Sequence, residues 1–252
     1  MAPVRIEVGR SVAYNASRRL WARGETTLEK QVFAWHGQEF VALSDEGRSG
    51  GSAHDQTRDI LERMDLALRT EETSLIGTVR TRLWARDQSA RDRGSRARVD
   101  ILSDYARSAS SSYIAPDHFE TSASIAIDLV AMKPASGMVK HLVEYDPPMT
   151  PLRYVVYGPL VHLSGVTSVL GTLEAQVGEI LPKLGESLTA SGSSWAHATK
   201  VSFYVHREAP VDELKALFAA AVSAPDAELD YGTVDGYSTP DKLVEIEVTA
   251  TV

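Results

Sequence analysis

Two spans of the chain carry the same order of apolar and polar positions. Set 120 positions apart without a gap, Gln56–Asp87 and Gln176–Arg207 place Ile60 over Ile180, Leu61 over Leu181, Met64 over Leu184, Leu68 over Leu188 and Ser74 over Ser194. The apolar members recur at helical steps along one face, which predicts an amphipathic helix in each span. In the same register the pattern switches to the two-residue period of a strand at Val79–Trp84 and Thr199–Tyr204. A second matching strand, Ser124–Ala131 against Leu243–Ala250, is offset by 119, a one-residue difference that a loop absorbs. Upstream, Val32–Ala42 and Leu152–Leu163 each predict strand, Gly-containing turn, strand.

Each half therefore follows a β-β-α-β-α-β outline, an α+β class with two tandem domains at 1–134 and 135–252. A chain of 252 residues can bury two cores of that size. The linker is expected at Lys133–Gly137, which is short, polar and holds both Pro and Gly. Pro210 suits the first turn of a second helix whose stripe is Val211, Leu214, Leu217, Phe218 and Val222. Its first-half counterpart is expected around Arg96–Ala106. Pro182 lies inside the first helix of the second half and predicts a kink there.

Charge and composition narrow the function. A net charge of −8 argues against a general nucleic-acid binder, which needs a positive surface to displace counterions. No cysteine is present, so disulfides, thiolate nucleophiles and Cys-based metal sites are excluded. The seven histidines form no HxH or HExxH spacing, and neither a metal nor a cofactor is expected. No apolar run reaches membrane-spanning length and the N-terminus lacks a signal-peptide core, so a cytoplasmic location away from membranes is expected. Between Arg80 and Arg98 seven arginines alternate with Asp, Ser and Gly. This run is expected to be a solvated loop, with a local anion-binding face as the alternative. Gly47–Asp55 lacks a P-loop ending and is expected to be a loop with Ser52 near a helix start.

The second-half run Ala190-Ser-Gly-Ser-Ser-Trp-Ala-His-Ala-Thr-Lys-Val-Ser-Phe203, with the closing Leu243-Val-Glu-Ile-Glu-Val248, resembles the RidA/YjgF enamine/imine deaminase family. The resemblance extends over nearly the whole chain, twice. It implies two chorismate-mutase-like domains, each a curved sheet backed by two helices, assembled as a homotrimer with sites at interfaces. It also implies cofactor-free hydrolysis of an enamine or imine on a small carboxylate-bearing substrate. In the family an Arg clamps that carboxylate, through the two parallel hydrogen bonds its planar fork allows, and a Glu on the last strand positions or activates water.

Carried onto this sequence, the resemblance makes Arg107, in Tyr105-Ala-Arg-Ser108, the carboxylate clamp and Glu245 the water-activating group. Ala126 occupies the Glu position of the first half, and the second-half Arg position falls near Asp230 or Tyr231, so neither half holds both groups. Ser164 and Gly165 match the family's pocket-lining pair. Ser108, Tyr113, His118 and Tyr231 complete the expected substrate-binding set, with Tyr113 and His118 on a hydroxyl-rich connection at Ala109–Phe119. An ordinary surface arginine, a solvated strand face at Glu245 and an ordinary turn at Pro116-Asp117 are the plain alternatives. Three functions stay open: a deaminase anchored by Arg107, a repurposed biosynthetic enzyme such as the chorismate-cleaving relatives of this fold, and a non-catalytic ligand-binding or structural oligomer.

Overall fold

In the computed structural model, residues 28–48, 50–224 and 226–252 are described. The N-terminal segment, where no signal peptide is expected, lies outside them. The first unit consists of β1 (Glu29–Trp35), β2 (Gln38–Glu46), α1 (Ala53–Arg69), β3 (Thr78–Ala85), α2 (Gln88–Ile101), β4 (Ala109–Ile114) and β5 (Ile125–Met132). The second consists of β6 (Lys140–Val143), β7 (Tyr154–Tyr157), β8 (Leu160–Leu163), β9 (Val166–Thr167), α3 (Leu173–Ala190), β10 (Ala198–His206), α4 (Val211–Ala221), β11 (Glu228–Val234) and β12 (Val244–Thr251). The sheet orders are β1-β2-β5-β3-β4 and β11-β10-β12-β8-β7-β6, with β9 alongside β12. Each unit adds to the expected outline a strand, β4 or β11, that runs parallel to β3 or β10, and the second unit adds the short β6 and β9 as well.

The repeat holds in detail. Gln56 and Gln176 are both buried on the first helix of their unit. The Gln56 carboxamide oxygen accepts from the N–H groups of Ser124 and Ile125, and that of Gln176 accepts from Leu243 N–H, so each pins the start of the last strand. The register of β3 on β5 slips between Thr78 and Arg80, and that of β10 on β12 slips at the equivalent Ala198 and Lys200. Both opening hairpins turn on a glycine of positive φ, Gly37 or Gly158, where only a residue lacking Cβ is free of strain. Ser52 caps α1 in a reciprocal capping box with Asp55.

Three expectations need correction. Arg80–Arg98 is not a solvated loop: it is β3 and α2, and Arg80, Arg82 and Arg98 are buried. The second helix of the first unit is Gln88–Ile101, not Arg96–Ala106. Asp87 caps it by accepting from Ala90 N–H. Its buried face is Ala90, Gly94, Ala97 and Arg98, too small and too charged to register as an apolar stripe. Gly94 lets the helix lie close: a Cβ there would press on Ile125, Leu83 and Thr57. The connection at Ala109–Phe119 likewise begins as a strand, β4.

Helices cover one face of each sheet. Ile60, Leu61, Met64 and Leu68 pack on Leu83, Ile127 and Leu129, and Ile180, Leu184 and Leu188 pack on Val201, Phe203 and Val248. The other faces turn toward each other, because a sheet residue two along points the same way. Trp84, Tyr113 and Ala126 of the first unit form one cluster with Tyr204, Val234 and Tyr237 of the second. Phe40, Val79 and Met132 join Tyr157 and Leu160 in another. Between the clusters lies a buried ion network in which Arg82 Nε and Nη2 meet Glu247 Oε2 at 3.0 and 2.7 Å, and Arg80 Nη1 meets it at 2.8 Å. Arg80 also donates to the carbonyls of Leu163 and Val248.

Removing one partner of a buried pair strands the other in a dry site. Arg82→Ala should therefore lower unfolding free energy by about 3 to 5 kcal/mol. Chemical denaturation checks this, and a loss under about 1 kcal/mol would place the pair in water.

Candidate functional site

The seam between the sheets gathers the ionisable groups that could do chemistry. Antiparallel pairing of β12 with β10 sets Glu245 beside Tyr204 and Glu247 beside Ser202, all on the seam face. Glu245 and Glu247 share a face because they are two residues apart on one strand. Both are buried, yet their surroundings push them in opposite directions.

Glu247 accepts from Arg82, from Ser111 Oγ and from Tyr113 Oη. Burial alone would raise its pKa, but the charges of Arg82 and Arg80 and the hydrogen bonds from Arg82 and Ser111 outweigh it and hold the carboxyl at about 2. Glu245 has no such cover. Burial, reinforced by the negative charge of Glu247, raises it to about 8, against smaller downward pulls from the charges of Lys242 and Arg91. It is the protonated member of the pair at neutral pH. Its carboxyl lies 3.1 Å from Tyr113 Oη and directly over the Cα of Gly165, where a Cβ would collide with it.

Cations surround this acid. Arg98 on α2 donates to the Ser111 carbonyl at 2.6 Å and the Ser112 hydroxyl at 2.9 Å, and burial lowers it to about 10. Arg91, one helical stretch earlier, pairs with Asp92 through Nη1, while its buried Nε has no hydrogen-bond partner among the described residues. Lys242 donates to Ser238 Oγ, and its pKa is lowered by burial. Burial raises both Tyr237 and Tyr145, and the charge of Glu245 adds to each, against a downward pull from Arg153 on Tyr145. A protonated acid ringed by cations suits an anionic molecule that needs a proton.

Of the residues expected from sequence, the structure brings together Glu245, Tyr113, Ser164 and Gly165. The Ser164 hydroxyl accepts from Ser110 N–H at 3.1 Å and so ties β8 of the second unit to β4 of the first. Ser108 is one step away, its hydroxyl 3.3 Å from that of Thr81. His118 stacks on Trp84 with ring centroids 4.1 Å apart, behind Tyr113. Arg107 stands apart. Its side chain is 36% exposed and forms an ion pair with Glu144. Tyr231 faces the opposite side of its sheet, stacked on Phe203 at 4.8 Å with Lys215 over its ring, so it belongs to the packing under α4.

Sequence reasoning missed Arg82, Arg80, Arg98, Arg91, Glu247 and Lys242. The arginines were visible as a run, and the two-residue period through Arg80, Arg82 and Trp84 was the signal that two of them share a face. Among the described residues no group of acidic, His or Cys side chains could hold a metal, and no helix is long and apolar enough to cross a membrane.

No protein-family model matches the chain, and no curated protein matches it in sequence. Solved structures do match. A chorismatase crystal structure aligns with 88% of this chain and 79% of its own, at 16% identity and a TM-score of 0.61. A YjgF/YER057c/UK114-family protein from Mycobacterium tuberculosis aligns with 45% of this chain and 100% of its own, at 24% identity and a TM-score of 0.41. A YjgF-family protein from Neisseria meningitidis aligns with 45% of this chain and 95% of its own, at 24% identity and a TM-score of 0.39. With its two matching sheet–helix units and its likeness to a chorismatase along most of its length, the chain has a tandem RidA-like fold.

Proposed function

We propose that this protein is an enzyme that hydrolyses an enol ether or an enamine on a small carboxylate-bearing molecule, with Glu245 as the general acid. The observation that carries this is the buried Glu245 carboxyl, raised to about 8 and set among Arg91, Arg98 and Lys242. Enol ether and enamine share a first step. The Glu245 proton goes to the terminal vinyl carbon, whose π pair becomes the new C–H bond, while the lone pair on oxygen or nitrogen stabilises the cation left behind. Water adds to that cation and returns a proton to the Glu245 carboxylate. The remaining hydroxyl proton passes to the leaving atom as the C–O or C–N bond breaks, giving a keto acid and an alcohol or ammonia.

The substrate carboxylate supplies the negative charge this site otherwise lacks. Arg107 is engaged with Glu144, so anchoring falls to Arg91, whose Nε is unpartnered among the described residues, and to Lys242. A guanidinium with a free N–H favours a carboxylate through a charge-assisted hydrogen bond. Likeness to a chorismatase along most of the chain supports the enol-ether side, since chorismate carries an enol ether and two carboxylates. The enamine side follows from the sequence resemblance.

Chorismate and freshly generated 2-aminoacrylate, offered separately while keto-acid release is timed, test this directly. Release from one of them should fall about 10²- to 10⁴-fold in Glu245→Gln. Silence with both substrates would sink the proposal and leave another biosynthetic substrate or a non-catalytic role. Because an acid must hold its proton, kcat/KM should be level below pH 8 and drop about tenfold per pH unit above it. A rate that climbs across that range would make Glu245 a base.

Gly165 gives an independent handle. Gly165→Ala places a methyl group where the Glu245 carboxyl sits, so turnover should fall by about 100-fold while the protein stays folded. Unchanged turnover, with circular dichroism confirming the fold, would remove Glu245 from the chemistry.

A further inference from the structure

Tyr113 Oη lies 3.1 Å from Glu245 Oε1 and 3.2 Å from Glu247 Oε1, and a phenol carries one hydrogen. Two carboxylate anions could not both be satisfied by it. Glu247 is bound by Arg82 and Arg80, so it is the anion and the stronger acceptor, and Tyr113 donates to it. The remaining contact becomes a hydrogen bond only if the hydrogen comes from Glu245, with the Tyr113 oxygen accepting. We infer that Tyr113 and Glu247 are positioning residues of a relay, Glu245–Tyr113–Glu247, in which the Arg-locked anion at one end keeps the transferable proton at the other.

The groups facing Glu245 from each neighbouring element fit this division. From β12 comes Glu247, from β10 Tyr204, from β4 Tyr113 and from α2 Arg91 and Arg98. From the loop before β12 come Lys242 and Tyr237, and Tyr145 follows β6. The cations favour ionisation of Glu245, yet among the described residues none is within ion-pairing distance of it, while Arg80 and Arg82 are both within 2.8 Å of Glu247. Distance therefore decides which carboxyl ionises. The relay also orients the proton: Tyr113 is fixed between Trp84 at 5.1 Å and Tyr204 at 4.4 Å, centroid to centroid, so its hydroxyl cannot swing away.

The catalytic role of the relay rests on Glu245 being the acid proposed above, but its existence does not. Carboxyl-labelled glutamate in the full-length protein, followed by carbon-13 NMR across pH 4 to about 10, reads the Glu245 midpoint without any substrate; Glu245→Gln assigns the resonance. Tyr113→Phe removes only the hydroxyl and should lower the midpoint, because the protonated form loses its acceptor. Glu247→Gln should lower it further, by about one pH unit or more, because the neighbouring negative charge is gone.

A midpoint that rises in Tyr113→Phe would mean that Tyr113 donates to an ionised Glu245, and the relay would be overturned. No movement in either variant would overturn it as well. Should Glu247→Gln fail to fold, the direction seen in Tyr113→Phe still decides. Turnover assays then separate the two ideas: a shifted midpoint in a protein inert toward both substrates keeps the relay and rejects the proposed reaction. Under both together, the upper limb of the kcat/KM profile moves to lower pH in step with the NMR midpoint.

Discussion

The arrangement of the molecule depends on where Arg82 finds its counter-charge. A sheet with helices on one face has a second face to bury, and here the second face of each unit is buried against the other. Placing a guanidinium in that seam costs several kcal/mol in lost hydration unless its donors are met. Glu247 accepts from Nε and Nη2 of Arg82 and forms an ion pair with Arg80, from a strand 165 positions farther on than Arg82. A pair of this kind adds little net stability over apolar residues of similar size, but it fixes how the two surfaces sit, since any slip would leave charges unmatched. The aromatic and apolar clusters on either side supply the area, and the ion network sets the register.

The same lock divides protonation between the two carboxyls. Had the two arginines lain midway between Glu245 and Glu247, both carboxyls would ionise at neutral pH and neither could deliver a proton. By taking up both cations, Glu247 leaves its neighbour to feel burial and like-charge repulsion. Two groups of identical type, two positions apart, thus separate to about 2 and about 8. Divergence of that size between neighbouring carboxyls is how one site comes to hold both an acid and a fixed anion.

Helix-facing positions were legible because their signal is local. The stripe Ile60, Leu61, Met64, Leu68 and its copy 120 residues on announce helices regardless of what they pack against. Glu245, Ser164 and Gly165 were reached through family resemblance and Tyr113 through the hydroxyl-rich stretch that holds it, and the fold brings these four together. Arg107 was chosen by the same route because Tyr-Ala-Arg-Ser fits a local pattern, but a local pattern does not say that Glu144 would lie beside it. The buried arginines were misjudged for a related reason. Arginine is usually solvated, and what buries Arg82 is a carboxylate distant in sequence, so no window along the chain contains both. α2 was misplaced because its buried face of small residues gives no apolar stripe.

Positions related by the repeat show why one site is built rather than two. Arg82 reaches Ser202, its own counterpart, at 3.5 Å, and Trp84 packs edge-on against its counterpart Tyr204. Helix-facing pairs keep their type between units, whereas seam pairs differ: Ala126 stands where Glu245 does, and Asp128 where Glu247 does. Asp128 accepts from Trp84 Nε1 at 2.7 Å and from Ser44 Oγ at 2.6 Å, where Glu247 takes arginines. An alanine cannot carry a proton. Duplication supplied two interchangeable helix-covered sheets. Asymmetry confined to the seam turned their junction into a single polarised site, with the anion fixed by the first unit's arginines and the acid presented by the second unit's last strand.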